Sequence, residues 1–157
     1  MSMGKTYKVQ VLKVVDGDTI HIRHNHQREI VRLVYIDTPE LFSINMLEQT
    51  IAYKAKQFVK ELIEKAKEIS IQIAPSSRDK GGRLLAMVFI NGQALQELLV
   101  RKGLAWVRYY WKQPNIHTVR RQVETLKRLE NEAKRKQLGL WQYEQENFRL
   151  KYRAISL

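Results

Sequence analysis

Apolar and polar residues alternate with a period of two through much of the first 36 residues, which is the pattern of strands with one buried face. The alternation runs over residues 7–15 and returns over residues 20–23. The polar run at 24–27 then turns the chain into the nearly continuous apolar stretch 30–36. We therefore predict a first strand and then a hairpin, whose last strand is covered on both faces.

The spacing of apolar residues changes to steps of three and four over residues 52–66, which predicts an amphipathic helix. Residues 41–49, just before it, have no clear period and are predicted to form a loop. Alternation resumes over residues 69–73 as a fourth strand. Pro, Ser and Gly residues within 75–82 predict a turn into a fifth strand at 84–90.

Two more helices follow in the prediction, a short one that ends at Gly103 and a longer one that ends at Gly139. The resulting order is three strands, a helix, two strands and two helices. A five-stranded Greek-key barrel of the oligonucleotide-binding type, the OB-fold, has its helix between the third and fourth strands. We therefore predict an α+β fold, an OB-fold barrel with three helices packed on it. The pattern alone leaves a different α+β sheet open.

Composition adds an expectation about partners. The 157 residues have no compositional break, which predicts a single domain over residues 1–157 with a loosely held end after Trp141. The chain has 28 basic and 16 acidic residues, a formal net charge of +12 and a pI near 10.0. Its field therefore attracts polyanions, and the expected partner is nucleic acid or an anionic membrane surface.

The sequence leaves the localisation open. The N-terminal residues have no apolar region of the export type, and the absence of cysteine fits several compartments. A secreted or periplasmic location is expected if a signal peptide has been removed, and a cytoplasmic one otherwise.

Two acidic segments bracket the predicted hairpin, DGDT at residues 16–19 and DTPE at residues 37–40. Asp18, Asp37 and Glu40 supply carboxylate oxygens, and the second turn can add backbone carbonyls. Oxygen ligands of this kind suit a hard cation such as Ca²⁺ or Mg²⁺. The first segment alone is more typical of a plain turn at a strand end, so the cation hypothesis depends on the two segments together.

Two arginines complete a site of the phosphate-binding type. Arg32 interrupts the apolar third strand, and Arg83 follows the Gly-Gly turn. Guanidinium groups bind phosphate oxygens in pairs and stabilise the charge that develops in phosphoryl transfer, while Glu40 can orient or deprotonate a water. The alternatives are a buried ion pair of Arg32 with Asp18 or Asp37, and a solvated turn role for Arg83.

These motifs together resemble the staphylococcal nuclease, or thermonuclease, family. The resemblance also includes DKGGR at 79–83 and VRKGLA at 100–105, and it extends over roughly residues 7–142. It implies an OB-fold and a calcium-dependent endonuclease that hydrolyses phosphodiester bonds of DNA and RNA with little sequence specificity, leaving 3′-phosphate ends. The alternative is a non-catalytic OB-fold module of the same family that binds nucleic acid without cutting it.

The resemblance also implies roles for individual residues. The implied ligands of Ca²⁺ are Asp18, Asp37 and the carbonyl of Thr38. The implied catalytic residues, which act on the attacking water and on the phosphate, are Glu40, Arg32 and Arg83. The implied substrate-binding residues, one point charge and two stacking rings, are Lys80, Tyr109 and Trp111.

One departure from the family pattern concerns the substrate's ends. Gly81 stands where family members commonly have a tyrosine that contacts a terminal phosphate, so this contact is expected to be lost. The expected partners are DNA and RNA, with single strands preferred because the rings stack on unpaired bases. No membrane is expected, because no predicted helix combines a basic face with a bulky apolar one. The protein is expected to be a monomer.

Overall fold

A computed structural model describes residues 1–142, and the expectation of a loosely held chain end falls outside the described residues. The described part contains strands and helices in the predicted order, with short additional strands. The strands are β1 (Thr6–Lys8), β2 (Gln10–Asp16), β3 (Thr19–His24), β4 (Gln27–Leu33), β5 (Ile36–Asp37), β6 (Ile69–Arg78), β7 (Leu84–Ile90), β8 (Gln93–Ala94) and β9 (Trp106–Val107). The helices are α1 (Met46–Lys65), α2 (Leu95–Arg101) and α3 (His117–Arg135), with short 3₁₀ helices at Tyr110–Lys112 and Gly139–Gln142.

One stretch of chain supplies both edges of the main sheet. The strand order is β1-β6-β7-β4-β3-β2, and only Val9 separates β1 from β2. β1 pairs with β6 and β2 pairs with β3, both antiparallel, so the first stretch changes partner at Val9 and joins the two edges. With β4 and β7 parallel, this is the strand connectivity of the OB-fold. The predicted α+β OB-fold is confirmed.

The barrel core follows the alternation that predicted it. Ile20 and Ile22 on β3 and Val31 and Leu33 on β4 point inward and are completely buried. α1 packs against β2, while α2 lies between β7 and α3. Within residues 1–142 no helix combines the length and the apolar character needed to cross a bilayer.

The third predicted strand is shorter and more open than predicted. β4 ends at Leu33, and the chain turns at Tyr35, whose φ of 72° lies in the left-handed region. Ile30 on the outer face is 41% exposed. The prediction of cover on both faces is therefore wrong for the first half of this strand. Within β4 only the alternate residues Val31 and Leu33 are buried, whereas residues 34–36 of the run are buried in succession.

α1 begins six residues before the predicted start, inside the predicted loop. The side chain of Asn45 accepts hydrogen bonds from the backbone N–H groups of Leu47 (3.0 Å) and Glu48 (3.2 Å). An asparagine in this position satisfies donors that the first helical turn leaves unpaired. The first turn was not predicted because Met46 is exposed and adds nothing to the buried stripe.

Two other boundaries differ from the prediction. β6 continues through the predicted turn at 75–77 to Arg78, with an irregularity in its pairing with β7 after Ile73. α3 ends at Arg135 with Lys136 as its C-cap, before the predicted end at Gly139, and both Gln137 and Gly139 have a left-handed φ of 53°. The predicted end of α2 is confirmed, since Gly103 follows it with a φ of 72°.

Candidate active site

A cleft of about 420 Å³ opens where β4 leads into β5. The cleft gathers side chains from the two acidic segments, from the Gly-Gly turn before β7 and from the segment after β9. Six of the nine residues predicted for the site line it: Asp18, Arg32, Asp37, Glu40, Arg83 and Tyr109.

Asp18 is held in the cleft by the two turns that meet there. It is only 5% exposed, and its carboxylate accepts hydrogen bonds from the Thr38 backbone N–H (2.9 Å) and the Thr19 hydroxyl (3.1 Å). A β-carbon on Gly17 would lie 2.9 Å from Thr38 Cγ2 and 2.8 Å from Ala55 Cβ. Glycine is therefore required here so that the first acidic turn can approach the second one and α1.

Arg32 binds the carboxylates and the backbone at once. Its Nη2 lies 3.3 Å from Asp18 Oδ2 and 3.2 Å from Asp37 Oδ1. Its Nη1 donates to the carbonyls of Leu33 and Ile36, each at 2.9 Å. The buried ion pairs that the sequence offered as an alternative role for Arg32 are therefore present. They lie inside the cleft.

Asp37 has a second cationic partner that the sequence did not predict. Asp37 lies opposite Trp106 in the β5–β9 ladder, and Arg108 Nη1 donates to Asp37 Oδ2 at 2.9 Å while its guanidinium covers the Trp106 ring at 4.0 Å. Burial raises the pKa of Asp37, and the charges of Arg32 and Arg108 oppose this rise. Arg108 was visible only as one basic residue in an aromatic segment.

Asp16 is a third carboxylate in the cleft. Its Oδ1 accepts the Asp18 backbone N–H at 3.0 Å. Burial, and then the adjacent carboxylate of Asp18, raise the pKa of Asp16 to about 7. This residue belongs to the first acidic segment but was not among the predicted site residues.

Arg83 is positioned by Asp79 on the other side of the Gly-Gly turn. Asp79 accepts hydrogen bonds from the Arg83 backbone N–H (2.9 Å) and Nε (2.7 Å), and Gly82 supplies the left-handed turn with a φ of 84°. Burial opposes ionisation of Asp79, but these hydrogen bonds outweigh it and lower the pKa of the carboxyl. Within residues 1–142 neither terminal nitrogen of the Arg83 guanidinium has a partner, so both can bind a ligand.

Glu40 differs from the other carboxylates of the cleft. It is exposed, and in the described part of the chain its side chain forms neither a hydrogen bond nor an ion pair. A solvated carboxylate without a partner can accept a proton from, or orient, a water molecule.

The predicted substrate-binding residues are only partly gathered. Tyr109 lines the cleft, is 41% exposed and has Lys112 Nζ 5.1 Å from its ring centre. Trp111 is 62% exposed, with its ring centre 5.7 Å from that of Tyr109, but it does not line the cleft. Lys80 is exposed in the turn beside Arg83 and also lies outside the cleft lining. Substrate roles for Trp111 and Lys80 stay predictions.

The donor chemistry at the base of the cleft fits a hard cation. Two aspartate carboxylates, of Asp18 and Asp37, already face one positive group, the Arg32 guanidinium. Beside them, the buried hydroxyl oxygen of Thr38 has no hydrogen-bond partner. Within residues 1–142 no three Asp, Glu, His or Cys side chains form a ready metal-binding cluster. The fit to the implied cation is thus one of donor type alone, through the carboxylate oxygens of Asp18 and Asp37 and the oxygen of Thr38.

The comparison with known families bears on this cleft directly. The family model described as "Staphylococcal nuclease homologue" matches residues 30–143, a range that includes Arg32, Asp37, Glu40 and Arg83. The chain belongs to the staphylococcal nuclease family. The resemblance that the motifs indicated is thereby confirmed.

Three curated relatives show what this family member is similar to. It is 37% identical over 130 residues to the SPbeta prophage-derived endonuclease YokF of Bacillus subtilis (strain 168), which covers 82% of this chain and 42% of the relative. It is 34% identical over 138 residues to Endonuclease YncB of the same organism, covering 87% and 63%. It is 32% identical over 139 residues to the Thermonuclease of Staphylococcus intermedius, covering 88% and 77%. The chain thus spans less than two thirds of both Bacillus subtilis proteins.

Proposed function

We propose that this member of the staphylococcal nuclease family is a calcium-dependent endonuclease that hydrolyses phosphodiester bonds of DNA and RNA. It cuts with little sequence preference and leaves 3′-phosphate ends. The observation that carries the proposal is the presence of Arg32, Arg83 and Glu40 in one cleft with the carboxylates of Asp18 and Asp37. The names of the relatives, two endonucleases and a thermonuclease, support it.

The two arginines bind and stabilise the phosphate. Arg83 lines the cleft, and both of its terminal nitrogens are available to the phosphate because Asp79 holds it through the backbone and Nε alone. Arg32 is shared between Asp18 and Asp37, and a cation held by these carboxylates would release Nη2 for the substrate phosphate. Removing one donor that is aimed at charge developing in a transition state typically costs about 10²–10³ in rate.

Glu40 acts on the attacking water. Water adds to phosphorus, and its proton passes to the Glu40 carboxylate. The bond from phosphorus to the 5′ oxygen breaks, and that oxygen leaves as a hydroxyl after taking up a proton from solvent water. The phosphate stays on the 3′ oxygen of the preceding nucleotide. The exposure of Glu40 at the cleft is consistent with access of water to this carboxylate.

Ca²⁺ is held in this proposal by Asp18, Asp37 and the Thr38 carbonyl, which are oxygen donors of the type it prefers. When bound it polarises the phosphate and offsets its negative charge. The chain's own contribution is to fix these donors. Gly17 lets the two acidic turns meet, and Arg108 holds one oxygen of Asp37.

Low sequence preference follows from what the cleft offers to a substrate. Its charged groups suit phosphates, which carry no sequence information, and the Tyr109 ring suits the face of any base. A preference for single strands follows from the same ring, because stacking on a side chain requires an unpaired base.

Digestion of single-stranded DNA tests the proposal. The intact chain is compared with Arg83→Ala and Glu40→Gln, first with Ca²⁺ and then with a chelator. We expect both variants to lose about 10²-fold or more in rate and the chelator to stop cutting. Arg128→Ala and Glu64→Gln are matched controls, because both residues are exposed and neither lines this cleft. Both controls should cut at the rate of the intact chain.

Four results would contradict different parts of the proposal. Undiminished cutting in chelator removes the calcium requirement, and equal rates for all variants remove the assigned roles. Product ends with a 5′-phosphate, identified by mass spectrometry, refute the direction of cleavage alone. Binding of DNA without any cutting favours the non-catalytic OB-fold module.

A further inference from the structure

A second, larger cleft of about 610 Å³ lies on the outer face of β2, β3 and β4. Lys13, His21 and Ile30 form one row across the three strands, because Lys13 pairs with His21 and His21 pairs with Ile30. Arg28, two residues from Ile30 on β4, lies on the same face. We call this surface the strand groove, defined by Lys13, His21, Arg28 and Ile30.

The strand groove is continuous with the active-site cleft. Arg83 lines both, and the Gly81–Gly82 turn forms part of the groove wall. Arg32 and Arg28 lie on the same face of β4, four residues apart, so about 13 Å of strand leads from the active-site cleft into the groove. A nucleic-acid strand bound in the active-site cleft can therefore continue into the strand groove without leaving the protein surface.

The strand groove is positively charged, and its basic side chains are available to bind an anion. Lys13 and Arg28 are exposed, and within the described residues neither side chain has an ion pair or a hydrogen bond. Glu29 is the one acidic residue in the lining, and Arg78 engages both of its carboxylate oxygens at 2.7 and 2.9 Å. Ile30, 41% exposed between the basic residues, adds an apolar contact. Separated cations with an apolar surface between them suit phosphates flanking a sugar or base.

Gly81 leaves the strand groove open because it has no side chain. Its φ is not in the left-handed region, and a β-carbon there would meet only Asp79 Oδ1, at an ordinary 3.5 Å. Neither the backbone nor the packing requires glycine at this position. A larger side chain would occupy the groove that Gly81 lines.

We propose that the strand groove binds the single-stranded nucleic acid that continues from the active-site cleft. Lys13 and Arg28 contact its phosphates, and Ile30 contacts a sugar or base. The inference rests on the proposed function for the position of the cut phosphate. It adds a substrate subsite that lengthens the bound segment and that the absence of a side chain at Gly81 makes accessible.

Binding measurements test the subsite under conditions in which the nucleic acid is not cut. Fluorescence anisotropy in chelator and low salt compares oligothymidylates of about 4 and about 16 nucleotides. For Lys13→Gln/Arg28→Gln we expect roughly five- to tenfold weaker binding of the longer strand and a salt slope smaller by about 1.4, since each contact to a single strand contributes about 0.7. Binding of the short strand should not change. Gly81→Leu should weaken binding of the longer strand only.

The matched control is Arg135→Gln/Lys136→Gln, which removes the same two charges from exposed positions outside both clefts. Equal losses in the two double variants, or equal losses for short and long strands, overturn the subsite. Cutting by the intact chain combined with unchanged binding in Lys13→Gln/Arg28→Gln refutes the subsite and leaves the nuclease proposal standing. A length-dependent loss in a protein that cuts nothing with Ca²⁺ refutes the nuclease proposal and leaves the subsite standing.

Discussion

Gln96 connects α2 to the strands beside the candidate active site, and its hydrogen bonds can be tested by a single substitution. It lies in α2 and is completely buried. Its Nε2 donates to the carbonyls of Val34 (3.2 Å) and Ala86 (2.9 Å), and its Oε1 accepts the N–H of Val88 (3.1 Å). Val34 lies in the turn that carries the chain from Arg32 to the second acidic segment. Gln96 therefore stabilises the connection between the two halves of the site.

Gln96→Met retains the length of the side chain and removes all three hydrogen bonds. The Ala86 carbonyl keeps the N–H of Val34 as a partner at 3.1 Å. The Val34 carbonyl and the Val88 N–H each lose the glutamine while remaining buried. An unpaired buried backbone group costs about 1–3 kcal/mol, so two of them lower the free energy of unfolding by on the order of 4 kcal/mol. The melting temperature should fall by about 10 °C.

Urea unfolding followed by tryptophan fluorescence measures this loss. Gln57→Met on α1 is the control, because the Gln57 side chain is exposed and has no hydrogen bond within the described residues, and it should change stability by less than about 0.5 kcal/mol. A Gln96→Met protein within about 1 kcal/mol of the intact chain would refute the assigned hydrogen-bond network. A change in the slope with urea would instead indicate a transition that is no longer two-state.

Three further changes test local features of the fold. Asn45→Ala removes the N-cap of α1 and should lower the free energy of unfolding in urea by about 1 kcal/mol; an unchanged midpoint would refute the cap. Gly103→Ala places a β-carbon 2.2 Å from the Leu138 carbonyl oxygen, so its thermal midpoint should fall sharply, and a normal midpoint would contradict this packing. The hydrogen bond from Arg78 lowers the pKa of Glu29, so the stability it adds is present above the carboxyl's unfolded pKa and is lost as pH falls through its folded pKa. Arg78→Gln should therefore be less stable than the intact chain at pH 7, with the gap closing in acid; a gap independent of pH would contradict the assignment.

The local sequence pattern was sufficient to predict much of the barrel and the proximity of the two acidic segments and Arg32. The two-residue period places Ile20 and Ile22 inward, and such alternation needs no knowledge of the partner strand. The acidic segments and Arg32 lie within 25 residues of each other around one hairpin. Because a hairpin brings its ends together, their proximity could be predicted before any long-range pairing was known. The start of α1 was not predicted, because a cap residue such as Asn45 carries no periodic signal.

Only the tertiary structure decided how the site is held and what lies beside it. Arg108 reaches Asp37, 71 residues away, because β9 pairs with β5, and neither two-residue strand has a recognisable period. The open face of β4 was misread as buried because apolar content does not reveal which side of a strand the helices cover. The sequence by itself determined which charged residue types meet in the cleft, since these residues lie in local motifs. The tertiary structure decided their partners and the strand groove, because these depend on contacts between segments far apart in the chain.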